Sequence, residues 1–137
     1  MTLLNVRGKL QKKNVSRYLI RWDAASKSKL QFHVKQFLKP FWIGSICYEE
    51  FPVYGTELKV DILNATYRIA VEVQGPQHNE FHYFHNGEPQ NYLSSFKRDQ
   101  AKFEWIKRNS FNFIEINYDE VDLLTHDFVQ EKFGVNL

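Results

Sequence analysis

Apolar residues recur at helical spacing in the first third of the chain. Over residues 26–39 they fall at i, i+4, i+7 and i+8, at Leu30, Val34, Phe37 and Leu38. This spacing predicts one apolar face of an amphipathic helix. Ser26 or Ser28 is expected to cap the helix at its start, and Pro40 is expected to end it.

Strand-like runs of apolar and β-branched residues dominate the rest of the chain. The strands are predicted at about 46–53, 57–63, 67–74 and 111–117, and short turn sequences separate the first three. Further helices are predicted at about 94–108 and 125–133. A long connection, residues 75–93, precedes the first of these helices, and connections of that length are often functional.

The predicted element order is α-β-β-β-α-β with a short helical tail. A helix between two strands of one sheet requires a parallel crossover. We therefore predict an α/β fold with a mixed central sheet flanked by helices, in a single domain spanning 1–137. Within it, 1–25 is expected to be a basic arm, 26–117 the core and 118–137 the helical tail. In the arm, residues 1–14 are expected to be partly disordered and residues 16–22 to form a short strand or an extended segment.

Charge is distributed unevenly along a chain that is otherwise typical of a globular protein. Residues 1–40 carry a net charge of +9 and residues 41–137 a net charge of −7. This asymmetry favours a phosphate-binding region beside an acidic, metal-binding region, so a nucleic acid is the expected partner. Lys27, Lys29 and Lys35 are the predicted DNA contacts. The alternative is that the two oppositely charged halves attract each other.

Cysteine content and hydropathy indicate the cellular compartment in which the chain is expected to function. Cys47 is the only cysteine, which excludes an intramolecular disulfide and a thiolate zinc site, and a reducing compartment such as the cytoplasm is expected. The first residues lack the apolar run of a signal peptide, and no stretch approaches the roughly 20 apolar residues of a membrane span. We expect no membrane association.

Candidate chemistry lies on the second and third predicted strands. Because side chains alternate between the faces of a strand, Asp61 shares a face with Lys59, and Glu72 shares one with Gln74. If the strands form a hairpin, Asp61, Glu72 and Gln74 converge. Two carboxylates repel each other, and a magnesium ion is the simplest remedy. The alternative is that both acids face solvent on a half-exposed sheet, and spacing alone favours neither interpretation.

The spacing of these acids resembles the motif of a known superfamily. Asp61, ten intervening residues and then Glu72-Val73-Gln74 closely resemble the active-site motif of the PD-(D/E)XK nucleases, whose core has the same element order. Within that superfamily the chain looks most like short phage-borne and very-short-patch-repair-like endonucleases, which include homing endonucleases. The segment VEVQGPQH is similar to an acidic strand followed by Gly and His in those relatives, and the resemblance covers residues 26–117.

The resemblance implies a restriction-endonuclease-like fold and a magnesium-dependent endonuclease of duplex DNA, with Mn²⁺ as a substitute for Mg²⁺. Asp61 and Glu72 would be the metal ligands, and Gln74 would complete the catalytic set. A phage-encoded enzyme would act in the cytoplasm of the host cell. Since a double-strand break usually needs two active sites, a chain of this size is expected to form a homodimer.

The chain departs from the motif at Gln74, which stands where the family has lysine. Glutamine can hold a water molecule but supplies no positive charge. The candidate replacements are Lys102, Arg98 and Lys59. Val60 stands where the motif has proline.

Further auxiliary candidates lie on the first strand and in the long connection. The resemblance implies that one of Glu49 and Glu50 on the first strand, with Glu50 as the auxiliary candidate, helps to hold a second cation, and alternation does not decide which of them faces the site. The alternative, which is favoured for either residue alone, is an exposed charge on an edge strand. His78 matches the family segment and is an auxiliary candidate that contacts the phosphate or orients Glu72.

Other functions remain open from the sequence. The spacing of His78, His82 and His85 would place them on one side of a helix, which is compatible with zinc. The absence of the motif lysine is compatible with a catalytically weak or inactive nucleic-acid-binding module of the same fold. A phage structural or interaction protein that binds no nucleic acid is the third alternative.

Overall fold

The computed structural model describes residues 1–76 and 89–137, and for residues 89–96 it describes the helical backbone alone. Its elements, in chain order, are strands β1 (Thr2–Leu4) and β2 (Leu10–Lys12), a 3-10 turn (Ser16–Tyr18), helix α1 (Lys29–Trp42), strands β3 (Cys47–Pro52), β4 (Lys59–Asn64) and β5 (Ile69–Gln74), helix α2 (Pro89–Arg108), strand β6 (Asn112–Asn117), a 3-10 segment (Tyr118–Leu123) and helix α3 (His126–Phe133).

The central sheet has four strands in the order β3-β4-β5-β6. The β3–β4 and β4–β5 pairings are antiparallel, and the β5–β6 pairing is parallel. Helix α2 lies in the connection between the two parallel strands, because a parallel pair cannot be joined by a tight turn. The predicted mixed sheet flanked by helices is therefore confirmed. Within the described ranges, none of the helices has the length and apolar content needed to cross a membrane.

Both faces of the sheet are covered. On one face, side chains of β4 and β5 such as Leu63 and Ala70 pack with Trp105 and Ile106 of α2. On the other face, side chains that include Ile62 and Val71 pack with residues of α1 and α3, among them Val34, Leu38 and Val129. Strands β4 and β5 are consequently buried on both sides, so a polar side chain on either strand is desolvated.

Helix α1 spans Lys29–Trp42, so it begins and ends three residues later than the predicted range 26–39. Ser28 is the cap, and its Oγ accepts a hydrogen bond from the Gln31 backbone N–H at 3.1 Å. Pro40 lies inside the helix, which continues to Trp42. The prediction that Pro40 ends the helix is wrong. A proline in the last turn removes a single backbone hydrogen bond there, and the indole of Trp42 is fully buried against the sheet, which offsets that loss.

The first residues form structure where an extended, partly disordered arm was predicted. Strands β1 and β2 pair as an antiparallel hairpin, and Leu3 is buried in the core. The hairpin is attached to α2, because the Trp105 indole N–H donates to the Leu4 carbonyl at 2.7 Å. The run 16–22 does not extend as a strand. It makes a 3-10 turn and then a single bridge between Leu19 and Tyr48.

Asn109 is the residue on which the attachment of this hairpin depends. Its side chain is buried, accepts from the Leu4 backbone N–H at 2.8 Å and donates to the Leu4 carbonyl at 3.1 Å. Asn109→Ala would leave the Leu4 backbone N–H without this acceptor, whereas the Leu4 carbonyl would keep the Trp105 indole N–H, so we expect the free energy of unfolding in urea to fall by about 1–2 kcal/mol. Asn136→Ala, at an exposed position near the end of the chain, is the matched control. Equal stability of the two variants would contradict this role.

Candidate active site

A gap in the sheet brings two carboxylates together. The β4–β5 ladder pairs three residues on each strand and ends at Ile62 and Val71. Beyond that point side chains replace the backbone hydrogen bonds. The Val73 backbone N–H donates to Asp61 Oδ2 at 2.8 Å, and the Asp61 backbone N–H donates to Glu72 Oε2 at 2.9 Å. Each acid is thus held in place by the backbone of the neighbouring strand.

Both carboxylates lie inside the protein. Asp61 is 3% exposed and Glu72 is 5% exposed. The alternative that they face solvent on a half-exposed sheet is wrong, because helices cover both faces of these strands. An ionised carboxylate without a partner at such a depth would be strongly destabilising.

Two lysines neutralise the pair. Lys27 Nζ lies 2.5 Å from Asp61 Oδ1, and Lys102 Nζ lies 2.5 Å from Glu72 Oε1. Lys27 precedes α1 and Lys102 belongs to α2, so each flanking helix brings one ammonium group to the gap. Each carboxylate therefore has one ammonium partner and one backbone N–H partner. We term Asp61, Glu72, Lys27 and Lys102 the charged quartet.

Glu50 lies beside the quartet, and Glu49 is directed elsewhere. Glu50 lies on β3 between Glu49 and Phe51, which pair with the two neighbours of Asp61 on β4, and its Oε1 lies 3.8 Å from Lys27 Nζ. Its φ of 54° is in the left-handed region, which is strained for a residue other than glycine and is found disproportionately at functional sites. Glu49 instead accepts hydrogen bonds from Ser26 and Gln31 and pairs with Lys35. The structure thereby decides between the two glutamates that the sequence left open.

Electrostatics within this cluster reflect burial and proximity. Burial, together with the Asp61 carboxylate, raises the pKa of Glu72 to about 7, against the opposing effect of the Lys102 ammonium. Burial also raises the pKa of Glu50, which the Lys27 ammonium partly offsets. For Lys27, burial acts to lower the pKa, but the carboxylates around it, Asp61 first, outweigh burial and raise it.

Gln74 lies next to Glu72 rather than next to Asp61. It and Glu72 line the same cleft of about 380 Å³, which is bounded by α2, β5 and β6. Gln74 Nε2 donates to Glu115 Oε2 at 3.3 Å, while Gln74 Oε1 is buried and has no hydrogen-bond partner among the residues that the structure describes. Glu115 was not a predicted site residue. Its signal in the sequence was a carboxylate inside the apolar run FNFIEIN, at the β6 position that pairs with Glu72.

The three basic residues that were candidates to replace the motif lysine lie in different parts of the structure. Of the three candidate replacements for the motif lysine, Lys102 contacts the acid pair. Arg98 lines another cleft, together with Thr56 and Glu57 on the approach to β4. Lys59 is exposed at the start of β4. His78, with His82 and His85, lies outside the described residues.

The predicted DNA contacts divide into three cases. Lys35 is fully buried, and its ammonium donates to the carbonyls of Arg21 and Ala24 and to Glu49. The prediction that Lys35 contacts DNA is wrong, because no phosphate can reach that group. Lys27 is held in the quartet. Lys29 is exposed and lines an open cleft of about 410 Å³, so its contact with DNA stays a prediction.

The donor set is suited to a hard cation but is not a complete cage. Among the residues that the structure describes, no group of three or more His, Cys, Asp or Glu side chains is arranged to hold a metal ion. Asp61 and Glu72 do supply two carboxylates, which is the number that magnesium commonly takes from a protein, with water completing its shell. The Lys27 ammonium already shows that a positive charge is stabilised between Asp61 and Glu50.

Comparison of the chain with models of protein families, with curated proteins and with solved structures gave no match. The assignment of this site therefore depends on its own residues: the buried acids, the two lysines and the cleft beside Glu72.

The raised pKa of Glu72 makes stability depend on pH. Its pKa rises from 4.5 in the unfolded chain to about 7 in the folded one. Between these values the folded state binds more protons, so the free energy of unfolding falls as the pH rises. We expect a decrease of about 2 kcal/mol between pH 5 and pH 7 in chemical denaturation. Glu72→Gln should remove this decrease, and the exposed control Glu131→Gln should keep it. The same pH profile in Glu72→Gln and wild type would contradict the assignment.

Proposed function

We propose that this chain is a metal-dependent endonuclease that hydrolyses phosphodiester bonds of duplex DNA. The observation that carries the proposal is the buried pair of Asp61 and Glu72, 3% and 5% exposed, at a gap in the sheet and beside a cleft. The resemblance of this pair, with Gln74, to the PD-(D/E)XK motif supports the same assignment, and we propose that the mixed sheet and its flanking helices form a restriction-endonuclease-like core.

A purely structural role is a poor explanation for the two acids. Removing two carboxylates and two ammonium groups from water is unfavourable, and apolar residues of similar size are often as stable or more stable in such positions. The left-handed backbone of Glu50 next to the pair adds strain that the fold does not need. Unfavourable desolvation and backbone strain that are concentrated at one point beside a cleft are typical of an active site.

Asp61 and Glu72 would hold a magnesium ion through their carboxylate oxygens, with Glu50 close enough to assist. When bound, such an ion lowers the pKa of a water molecule and polarises a phosphoryl oxygen. Binding of the ion would displace the Lys27 ammonium from Asp61. The Lys27 side chain is 55% exposed, so its ammonium can turn toward solvent. The displaced ammonium would then lie near the substrate, where it can bind a DNA phosphate.

Lys102 takes the role that the motif assigns to lysine. Gln74 stands at the motif position and supplies no charge, whereas the Lys102 ammonium reaches Glu72 from α2. It orients the Glu72 carboxylate and places a positive charge where negative charge develops on the phosphate. The unpartnered Oε1 of Gln74 accepts a hydrogen bond from the attacking water and so helps to orient it.

DNA would approach from the side of Lys29 and the start of α1, where an exposed cleft also includes Gly75 and Pro76. One chain has one quartet, so a double-strand break requires a second copy, and a homodimer on the DNA is the expected arrangement.

A binding module without catalysis is the second candidate. One observation favours it: each carboxylate of the quartet already has an ammonium partner, so the site is neutral without a metal. Salt-dependent binding of DNA, with no cleavage at any magnesium concentration, would establish this alternative in place of the nuclease.

Asp61→Asn tests the nuclease directly. The amide keeps the shape of the side chain but loses the charge that binds metal, so we expect plasmid cleavage in Mg²⁺ to fall by at least about 100-fold. DNA binding measured without metal should change little. Asp23→Asn, which alters a carboxylate that is 83% exposed, should cut like wild type. Cleavage by Asp61→Asn at the wild-type rate, or cleavage by wild type in EDTA, would exclude the proposed site.

Lys102→Met tests the lysine assignment. It keeps the length of the side chain and removes the ammonium beside Glu72, and we expect the single-turnover cleavage rate to fall by about 100-fold. Lys102→Arg should recover part of the rate because it restores a positive charge. Lys97→Met, at an exposed position on the same helix, is the control. If Lys102→Met and Lys97→Met cut equally fast, the lysine role must be sought at Gln74 itself.

A further inference from the structure

The side-chain amide of Gln74 has two chemically opposite ends, and their surroundings differ. Its Nε2 group donates to Glu115 Oε2 at 3.3 Å. Its Oε1 atom is buried and has no hydrogen-bond partner in the described part of the chain. A half-turn of the amide would keep the shape of the side chain but would replace an acceptor by a group with two donors. The chemistry that Gln74 offers to the cleft therefore depends on which way its amide faces.

Glu115 is the residue that distinguishes the two ends of this amide. A carboxylate has acceptor oxygens only, so Glu115 binds the Nε2 group and disfavours Oε1 in the same place. The position of Glu115 is set by the backbone, because β6 pairs with β5 in parallel and Glu115 lies opposite Glu72. Glu115 is half-buried, and it lines the same cleft as Glu72 and Gln74.

Two donors close to Gln74 in the fold are engaged elsewhere. Asn117 is the β6 residue that pairs with Gln74, and its Nδ2 group donates to Glu120 Oε1 at 3.1 Å. The Lys102 ammonium, which lines the same cleft, is paired with Glu72. Neither group donates to Gln74 Oε1, so this atom is available to a ligand.

We propose that Glu115 is a positioning residue, which holds the Gln74 amide so that its carbonyl oxygen, and not its NH2 group, is presented to the attacking water. The inference rests on the proposed function and adds to it a residue outside the motif that Asp61, Glu72 and Gln74 resemble. Glu115 acts through Gln74, and its role requires no contact of its own with the metal or the DNA.

The orientation of the amide matters because of what the water must do. Attack on phosphorus requires a lone pair of the water oxygen directed at the phosphorus atom, while the protons of the water are donated to acceptors. The Gln74 carbonyl oxygen accepts one of these protons and leaves the lone pair free. An NH2 group in its place would donate to the water oxygen and occupy the lone pair that attacks. Glutamine at this position is therefore suited to hydrolysis in only one of its two orientations.

Exchange of the two partners tests this role in a way that a loss of stability cannot imitate. In the double variant Gln74→Glu with Glu115→Gln, the hydrogen bond can form again with its direction reversed, and an oxygen still faces the cleft. We expect its single-turnover cleavage rate in Mg²⁺ to lie within about threefold of wild type. Gln74→Glu alone sets two carboxylates against each other, and Glu115→Met alone removes the acceptor, so each should cut about tenfold more slowly than wild type.

Glu104→Met is the matched control. Glu104 Oε1 also accepts a hydrogen bond from a glutamine, Gln100 Nε2 at 3.5 Å, but on the exposed surface of α2, so this variant should cut like wild type. The DNA affinity of Glu115→Met, measured in EDTA, should stay within about twofold of wild type, because the lost interaction serves the attack and not the binding. Glu115→Met added to Gln74→Ala should have no further effect on the rate, since the residue through which Glu115 acts is then missing.

The same hydrogen bond can be observed without cleavage. The NMR signal of the Gln74 side-chain amide is identified by its absence from Gln74→Ala. Exchange of its bonded proton with water should be about tenfold slower in wild type than in Glu115→Met, because the carboxylate protects that proton. Equal exchange in these two proteins would overturn the inference. So would wild-type cleavage by Glu115→Met, or a folded double variant that cuts no faster than Gln74→Glu.

Failure of the nuclease has a different signature from failure of this inference. If wild type does not cut DNA, but its Gln74 amide is protected and loses that protection in Glu115→Met, the hydrolytic function is removed and the orientation of the amide by Glu115 is kept. If wild type and Glu115→Met cut at equal rates, the role of Glu115 alone is removed.

Discussion

The structure depends on the neutralisation of two carboxylates that are buried in the centre of the sheet. Asp61 and Glu72 stand where the backbone ladder between their strands ends, and each accepts a backbone N–H from the other strand. Attraction between unit charges about 4 Å apart is worth about 4 kcal/mol near a protein surface. The ammonium groups of Lys27 and Lys102 lie closer than that. Because Lys27 precedes α1 and Lys102 belongs to α2, the need to neutralise the two carboxylates constrains the position of both helices.

A buried lysine of the N-terminal third, Lys35, holds that arrangement in place. Lys35 anchors the loop before α1, because its ammonium binds the carbonyls of Arg21 and Ala24 as well as Glu49. This loop leads directly to Lys27. A fully buried ion pair contributes little net stability, but removal of one partner would leave an uncompensated charge. The pair therefore fixes the position of the loop, and with it the side from which Lys27 reaches Asp61.

Part of the charge asymmetry of the sequence is used in ion pairs within the protein, and part of it remains on the protein surface. Two of the basic residues counted in the N-terminal third, Lys27 and Lys35, pair with Asp61 and Glu49 of the acidic body. To that extent the alternative that the two halves attract each other is confirmed. The exposed basic residues that remain, including Lys29, are the ones available to a polyanion.

Period-two alternation and the order of elements were sufficient to predict the strands and the parallel crossover. The meeting of Asp61 with Glu72 followed only if their strands formed a hairpin, and spacing alone did not decide between that meeting and exposure to solvent. The sequence did not determine how far Pro40 would interrupt its helix, which glutamate of β3 would face the acids, or what would neutralise them. Those outcomes depend on burial and on contacts between residues far apart in the chain. Lys27 meets Asp61 across 34 positions and Lys102 meets Glu72 across 30. Because helices on both faces of the sheet remove the two carboxylates from water, each carboxylate needs a positively charged partner. Which lysine becomes that partner depends on the tertiary structure alone.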